Sequence, residues 1–323
     1  MKSCKKSAWS ALGAVLLGWC IAASAGDVVL KPIKVSEHTY YFRGDAAMAS
    51  AANQGFMSNA GFVVTNDSVI VFDALGTPVL GQAMLDAIKK ITPKPVKRVI
   101  VSHYHADHIY GLQALKAQKV EIWAHANGRA YLNSDIAVQR LAQRRTELFP
   151  WVDEKTRVVA ADRWLDFKGS PVIAFETGGV RFRIIDSSGA HSPEDIMLYV
   201  ENDGVLFAGD LFFTGRIPFV GNADSGVWLA VMGRMLETRP KLVIPGHGAA
   251  SDNPLADMTL TRDYLTYLRE KMGAAAQEMV GFEEAYKQTD WKRFEKVPAF
   301  AGANRLNAYG TYILMEQESL KKK

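Results

Sequence analysis

The stretch Val99-Ile100-Val101-Ser102-His103-Tyr104-His105-Ala106-Asp107-His108 decides how this chain is read. Its first three residues close a short β-branched run, the mark of a buried strand. The rest places four metal-type side chains, His103, His105, Asp107 and His108, within six positions. They cannot form an ordinary core face, because burying them unpaired would cost several kcal/mol. Where a strand ends, alternate residues project to one side, so His103 and His105 converge. Asp107 and His108 begin the following turn and can face a second position. Imidazole nitrogen with carboxylate oxygen favours Zn²⁺ or a neighbouring first-row metal, iron and manganese included. A solvated His-rich loop is the plain alternative for this segment taken alone.

Three residues further along outweigh that alternative. His191 lies in Ser188-Gly189-Ala190-His191-Ser192, after a strand pattern and among turn residues. Asp210 follows the apolar run Val205–Ala208 and Gly209, and His247 follows Leu242-Val243-Ile244-Pro245-Gly246. In each case a metal-type side chain caps an apolar strand beside a glycine, which lets backbone approach a crowded site. Open α/β sheets gather ligands at such strand ends. Seven ligands are too many for one tetrahedral zinc. They suit two metals that share a bridging carboxylate.

Around these positions the chain reads as short apolar runs, Gly/Asp/Asn turns and helical patterns, with no internal repeat. Residues 60–73 predict two strands around Thr65-Asn66-Asp67-Ser68. Thr77-Pro78 predicts a helix start, and Thr92-Pro93 its end. Strands are expected at 96–101 and 120–124, and a mostly helical run at 126–148. Hairpins are expected at 171–176/180–186 and 195–201/205–208, then a helix near 224–237 and a strand at 242–244. From Pro254 the pattern is helical, with Leu255, Met258, Leu265, Leu268 and Met272 on one stripe. This order predicts a layered α/β core followed by a C-terminal helical region.

Composition adds limits. The 323 residues are 48% apolar and 22% charged, which excludes disorder, collagen-like repeats and a multi-span membrane protein. The net charge is +4, with seven His and two Cys. Both cysteines, Cys4 and Cys20, and three lysines, Lys2, Lys5 and Lys6, fall within residues 1–25. That segment has a basic start, an apolar stretch and Ala23-Ser24-Ala25, and is expected to be a cleaved signal peptide. Without it, 35 of the 38 basic residues stand against all 34 acidic ones, and no cysteine is left. A near-neutral surface is no footprint for nucleic acid or an anionic membrane. Thiolate ligands and nucleophiles are excluded with the cysteines. A periplasmic protein with a small-molecule substrate and no stable membrane insertion is expected.

The set His103-x-His105-x-Asp107-His108 with His191, Asp210 and His247 in that order resembles the metallo-β-lactamase superfamily, over roughly residues 35–250. The resemblance implies an α/β fold, a four-layer αββα sandwich with metals at the rim between the sheets. It implies a first metal on His103, His105 and His191, a second on Asp107, His108 and His247, and Asp210 as the bridge. Residues 26–252 would form this domain and residues 253–323 a C-terminal helical extension. Asp210 makes the chain look like the glyoxalase II-type hydrolases, since the antibiotic-cleaving members lack a bridging Asp here. Gly209-Asp210-Leu211-Phe212 with Gly215-Arg216 and Pro218 looks most like exported relatives tied to sulfur-oxidation and quinoprotein pathways.

The expected function is therefore an exported hydrolase with two Zn²⁺ per chain, cleaving an ester, thioester or related acyl bond by metal-bound hydroxide. Asp107 would act catalytically by ligating and orienting the nucleophile. The alternatives are a β-lactamase, a mononuclear-iron sulfur dioxygenase, a nuclease, and a non-catalytic metal-binding accessory of a periplasmic redox system. Other polar residues have plainer readings. His125 is expected to be a helix cap or surface residue, His38 a strand residue, and Arg216 a surface ion-pair partner rather than an anion binder. Residues 44–59 are either an ordinary loop or an apolar flap. Asp73, after the run Val69–Phe72, either orients a ligand histidine or makes a turn.

Overall fold

The computed structural model describes residues 28–321; the expected signal peptide, with both cysteines, lies outside the described residues. Seven strands in sequence order form one sheet: β1 (Ile33–Lys34), β2 (Thr39–Phe42), β3 (Ala60–Val64), β4 (Val69–Phe72), β5 (Val96–Ile100), β6 (Glu121–His125) and β7 (Arg163–Leu165). β1 to β4 pair antiparallel and β4 to β7 parallel. The second sheet holds β8 (Val172–Thr177), β9 (Val180–Asp186), β10 (Ile196–Val200), β11 (Val205–Phe213) and β12 (Leu242–His247). Its spatial order is β12-β11-β10-β9-β8, antiparallel except for the β11–β12 pair.

Alternation along the strands builds the layers, because successive side chains leave a strand on opposite faces. Ile70 and Phe72 of β4, Ile100 of β5 and Trp123 of β6 meet Leu198, Val200, Val205 and Phe207 of the second sheet in one core. Val69, Val71, Val99, Ile122 and Ala124 point the other way, onto Leu80, Met84, Ile88, Leu112 and Leu115 of the covering helices. On the far side, Met197, Tyr199, Leu206 and Ala208 face Trp228, Val231, Leu265 and Leu268. Three apolar interlayers between two sheets and two helical layers make the four-layer αββα sandwich that was expected. Strands buried on both faces explain why β4, β10 and β11 read as continuous apolar runs.

Local signals agree with this arrangement. The helix Pro78–Ile91 starts where Thr77 Oγ1 accepts from the amide of Leu80 at 3.3 Å, with Pro78 in the first turn, where no donor is needed. Asp224 caps the helix Ser225–Glu237 by accepting from the amides of Gly226 and Val227. The C-terminal helices Thr259–Gln277, Phe282–Gln288 and Phe300–Lys321 pack on the outer face of the second sheet. The tail is interrupted between Gln288 and Phe300, and Leu255 is exposed rather than on the buried stripe. No helix among the described residues is long and apolar enough to cross a membrane.

Candidate metal centre

All seven expected ligands sit at the rim between the sheets. β5 ends at Ile100, and the chain presents His103 and His105 before a short helix, Ala106–Ile109, which carries Asp107 and His108. His191 lies in the β9–β10 connection and His247 ends β12. Asp210 is inside β11 rather than at its end: β11 runs on to Phe213, with register shifts on both sides of Gly209. Gly209 adopts φ +53°, and a Cβ there would come within 2.8 Å of Ser102 Cβ. That irregularity turns Asp210 toward the histidines. Gly246 serves the same approach, since a Cβ on it would stand 1.9 Å from Asp210 Oδ1.

The side chains form two groups, one of His103, His105, His191 and Asp210, the other of Asp107, His108 and His247. The Asp210 carboxylate spans them. Its Oδ2 lies 3.4 Å from His191 Nε2 and 3.9 Å from His103 Nε2, while its Oδ1 lies 3.1 Å from His108 Nε2 and 3.3 Å from His247 Nε2. Asp107 Oδ2 reaches His247 Nε2 at 3.3 Å and His108 Nε2 at 3.7 Å. His105 turns Nδ1 into the cluster, 2.9 Å from His191 Nε2.

The ring nitrogens facing away are tied down. His108 Nδ1 lies 2.8 Å from Asp73 Oδ2, and His103 Nδ1 lies 2.8 Å from Ser102 Oγ. Ser102 donates its amide and hydroxyl to Asp73 at 2.7 and 2.8 Å. A carboxylate only accepts, so the proton order is His108 Nδ1–H to Asp73, and His103 Nδ1–H to Ser102 Oγ–H to Asp73. His247 Nδ1 donates to the Met57 carbonyl at 2.8 Å. In all three rings Nδ1 is the outward donor, which leaves Nε2 as the nitrogen turned to the centre. Burial opposes charge on His108 and His247, yet Asp210 and the neighbouring carboxylates outweigh it and raise both, so a cation there would take Nε2 from a proton. Phe213 stacks on His247 with centroids 5.0 Å apart, and Trp228 meets His191 edge-on at 5.0 Å.

This arrangement fits a cation. His103 Nε2, His108 Nε2 and Asp210 Oδ1 are buried with no hydrogen-bond partner, an expensive state for groups with no ion to hold. Burial drives His105 down to about 4 and His191 to about 3, which favours the neutral, ligating ring. Burial also lowers His103, and the neighbouring histidines add to it. Burial opposes charge on Asp210 as well, yet His247 and His108 outweigh it and hold the carboxyl well below its ordinary range. Anionic carboxylates beside imidazole lone pairs attract a divalent metal.

Comparison with known proteins agrees with the geometry. The family model of the metallo-beta-lactamase superfamily matches residues 53–247, which enclose all seven side chains. The chain belongs to the metallo-beta-lactamase superfamily. It is 25% identical over 235 residues to a metallo-beta-lactamase type 2 from Bacillus sp., covering 71% of this chain and 78% of that protein. It is 21% identical over 241 residues to a linear primary-alkylsulfatase from Pseudomonas sp., covering 64% of this chain and 44% of that one. Among solved structures, a stereoselective inverting sec-alkylsulfatase from Pseudomonas sp. superposes with a TM-score of 0.67 at 19% identity, over 88% of this chain and 50% of the other. The chain thus spans about half the length of the alkylsulfatases it resembles.

Several polar residues have roles that differ from the plain readings. Asp73 orients His108 directly and His103 through Ser102, which decides between its two readings. Arg216 is buried, with no carboxylate at ion-pair distance among the described residues, so the expected surface ion pair is corrected. His125 caps a local turn, as expected, by accepting from the Asn127 amide at 3.0 Å. His38 joins Ser36 and Thr39 around Asp203, tying β2 to the β10–β11 turn. The 44–59 loop borders the site, with Met57 holding His247. Asn59, which carried no sequence signal, donates to the carbonyls of Pro245 and Gly248 and accepts from the Gly44 amide. It fixes the turn that bears His247.

Proposed function

We propose that this metallo-hydrolase holds two zinc ions and cleaves an ester, thioester or related acyl bond. The observation that carries the reading is the Asp210 carboxylate, with one oxygen facing each group of histidines. His103, His105 and His191 would hold one ion, Asp107, His108 and His247 the other, and Asp210 would link them. Such a pair would supply a nucleophile at neutral pH by lowering the pKa of bound water to about 7, and would polarise the scissile carbonyl.

The chain's own residues then have defined tasks. Asp107 is only partly buried and stands at the open side, where its free oxygen can align the attacking group and hold its proton. Asp73, Ser102 and the Met57 carbonyl hold three rings with Nε2 turned toward the centre. Phe219, 6.1 Å from His105, gives the entrance an apolar edge for a substrate chain. The reading includes export to the periplasm, supported by the basic, apolar and small-residue order of residues 1–25. Its similarity to glyoxalase II-type hydrolases rests on the same Asp210. Sulfate-ester cleavage is a second reading, supported by the alkylsulfatase relative.

Elemental analysis of the purified protein comes first. Two zincs per chain are expected; one iron would favour oxygen chemistry and overturn the reading. A panel of a thioester, a lactone, nitrocefin and an alkyl sulfate then separates the bond classes. Asp210→Ala is expected to lose metal and turnover together. Full turnover in chelator-stripped protein would refute the proposal.

A further inference from the structure

Among the described residues, Arg216 is a buried cationic side chain whose surroundings the metal centre leaves unexplained. It is 2% exposed, and its Nε is buried without a partner. Nη2 meets only the thioether of Met48 at 3.5 Å, a weak acceptor. Nη1 lies 3.5 Å from His247 Nδ1, which already donates its proton to Met57 and cannot accept. A guanidinium offers five N–H donors, and here no oxygen receives one.

The backbone keeps it there. Thr214 donates its amide to His247 O at 3.1 Å, Ile217 to Pro298 O at 2.9 Å, and Val220 to Asn307 Oδ1 at 2.8 Å. The segment is pinned on both sides of Arg216, so the side chain is not free to carry its charge to the surface. A buried charge without a partner is unfavourable, and proteins keep one where a ligand completes it. The carboxylates whose charge Arg216 feels most are Asp107 and Asp210. Both belong to the metal cluster, where divalent ions would neutralise them and leave the guanidinium as a further positive charge in the wall. Of the surrounding segments, the 44–59 loop contributes the weaker influence of Asp45 and meets Arg216 through Met48, itself 40% exposed.

We propose that Arg216 is the anion-recognition group of this site, and that the substrate carries a carboxylate or sulfate oxyanion that displaces Met48 from it. The oxyanion would accept two charge-assisted hydrogen bonds from the fork while the scissile bond lies at the metal centre. The assignment rests on the hydrolase reading above for the bond that is broken, but not for the anion that is bound.

The test uses the zinc-loaded full chain with Arg216→Met, similar in length and uncharged, and Arg216→Lys, which keeps the charge. Calorimetry with sulfate and with acetate, at ionic strength fixed by chloride, reads the anion directly. Arg216→Met is expected to weaken at least one of them about 10- to 100-fold, and Arg216→Lys by less. Equal affinity for both anions in parent and Arg216→Met overturns the proposal. Turnover of 4-nitrophenyl hemisuccinate, 4-nitrophenyl butyrate and 4-nitrophenyl sulfate then names the source. A loss on the hemisuccinate at least tenfold greater than on the butyrate assigns a carboxylate substituent, and a matching loss on the sulfate assigns a sulfate ester. Equal losses on all three overturn the specificity role. If the parent cleaves none of them, the hydrolase reading fails, while the calorimetry still decides Arg216.

Discussion

Replacing Asp73 with asparagine should disarm the metal centre without touching a ligand. Asp73 Oδ1 accepts from the Ser102 amide at 2.7 Å, and Oδ2 accepts from Ser102 Oγ and His108 Nδ1, each at 2.8 Å. The amide of Ser102 can only donate, so the single oxygen of the substituted side chain must take the Oδ1 position. Its NH₂ then stands where Oδ2 was, a donor facing two donors. His108 escapes by moving its proton from Nδ1 to Nε2, which removes the lone pair aimed at Asp107 and Asp210. Ser102 escapes by rotating its hydroxyl toward His103 Nδ1, which forces the same change there. One substitution therefore blocks a nitrogen in each metal group. Outer hydrogen bonds of this kind are worth about 10- to 100-fold in metal affinity, roughly 1.4–2.7 kcal/mol per site. Competition of the metal-free protein with a chromophoric zinc chelator reads both sites. Ser102→Ala is the control: it frees His103 alone, so its loss should fall on one site only. Asp73→Asn with parental affinity at both sites would refute the tautomer argument, because the side chain's shape is unchanged and only one acceptor has become a donor.

Other perturbations follow from the same packing. Gly246→Ala should lower metal content and stability together, by about 1–3 kcal/mol for the overpacking, because the new methyl meets Asp210 Oδ1 and the backbone of Gly209 and Asp210; an unchanged melting temperature contradicts the close approach. Asn307→Leu should cost about 2–4 kcal/mol in denaturant unfolding, since Val220 N and Pro218 O lose their buried partner and Tyr264 OH loses one of its two. A cost under about 1 kcal/mol would mean that the Arg216 loop is held elsewhere. Burial raises Asp203, but the hydrogen bonds of His38, Ser36 and Thr39 outweigh it and hold its pKa below the ordinary value. Its stabilisation is present above the unfolded pKa of about 4 and is lost as pH falls through the lower folded value. The stability difference between the parent and Asp203→Asn should therefore shrink from pH 6 toward pH 3, and a constant difference contradicts the assignment.

The cluster was legible in the sequence because His103, His191 and His247 follow apolar runs and Asp210 follows Val205–Ala208, although β11 continues past Asp210 to Phe213 and Asp107 and His108 lie on a short helix. The layered α/β core was legible for a related reason: strands buried on both faces read as unbroken apolar runs, and the turns between them keep their Gly, Asn and Asp; the four-layer sandwich came from the family resemblance. Local pattern failed where a residue's environment is supplied from far along the chain. Arg216 reads as a surface cation because its own neighbours are glycine, isoleucine and proline. Its surroundings come from far along the chain: Met48 meets its side chain, and Pro298 and Asn307 hold the loop that carries it, between 82 and 168 positions away. Asn59 and Ser102 look like ordinary loop polars for the same reason. β7 was missed because three residues carry too little periodicity to distinguish a strand from a loop.

These long-range contacts change what the C-terminal helices are for. A helix that only covered the second sheet would need apolar side chains, and most of the buried face of Phe300–Lys321 could then be leucine. Instead it buries Asn304, Asn307 and Thr311. Asn307 spends its carbonyl on the amide of Val220 and its NH₂ on Pro218 O and Tyr264 OH, while Tyr264 in turn reaches Asn304 at 2.8 Å. Gly310 lets the helix approach so closely that a Cβ would sit 1.7 Å from the Gly221 carbonyl. Buried amides add little net stability over a well-packed apolar face, so their worth lies in position. They fix where residues 217–221 run, and that fixes where Arg216 and Phe219 meet the metal-binding rim. The tail thus acts on the site through the loop it holds, although it supplies none of the seven ligands.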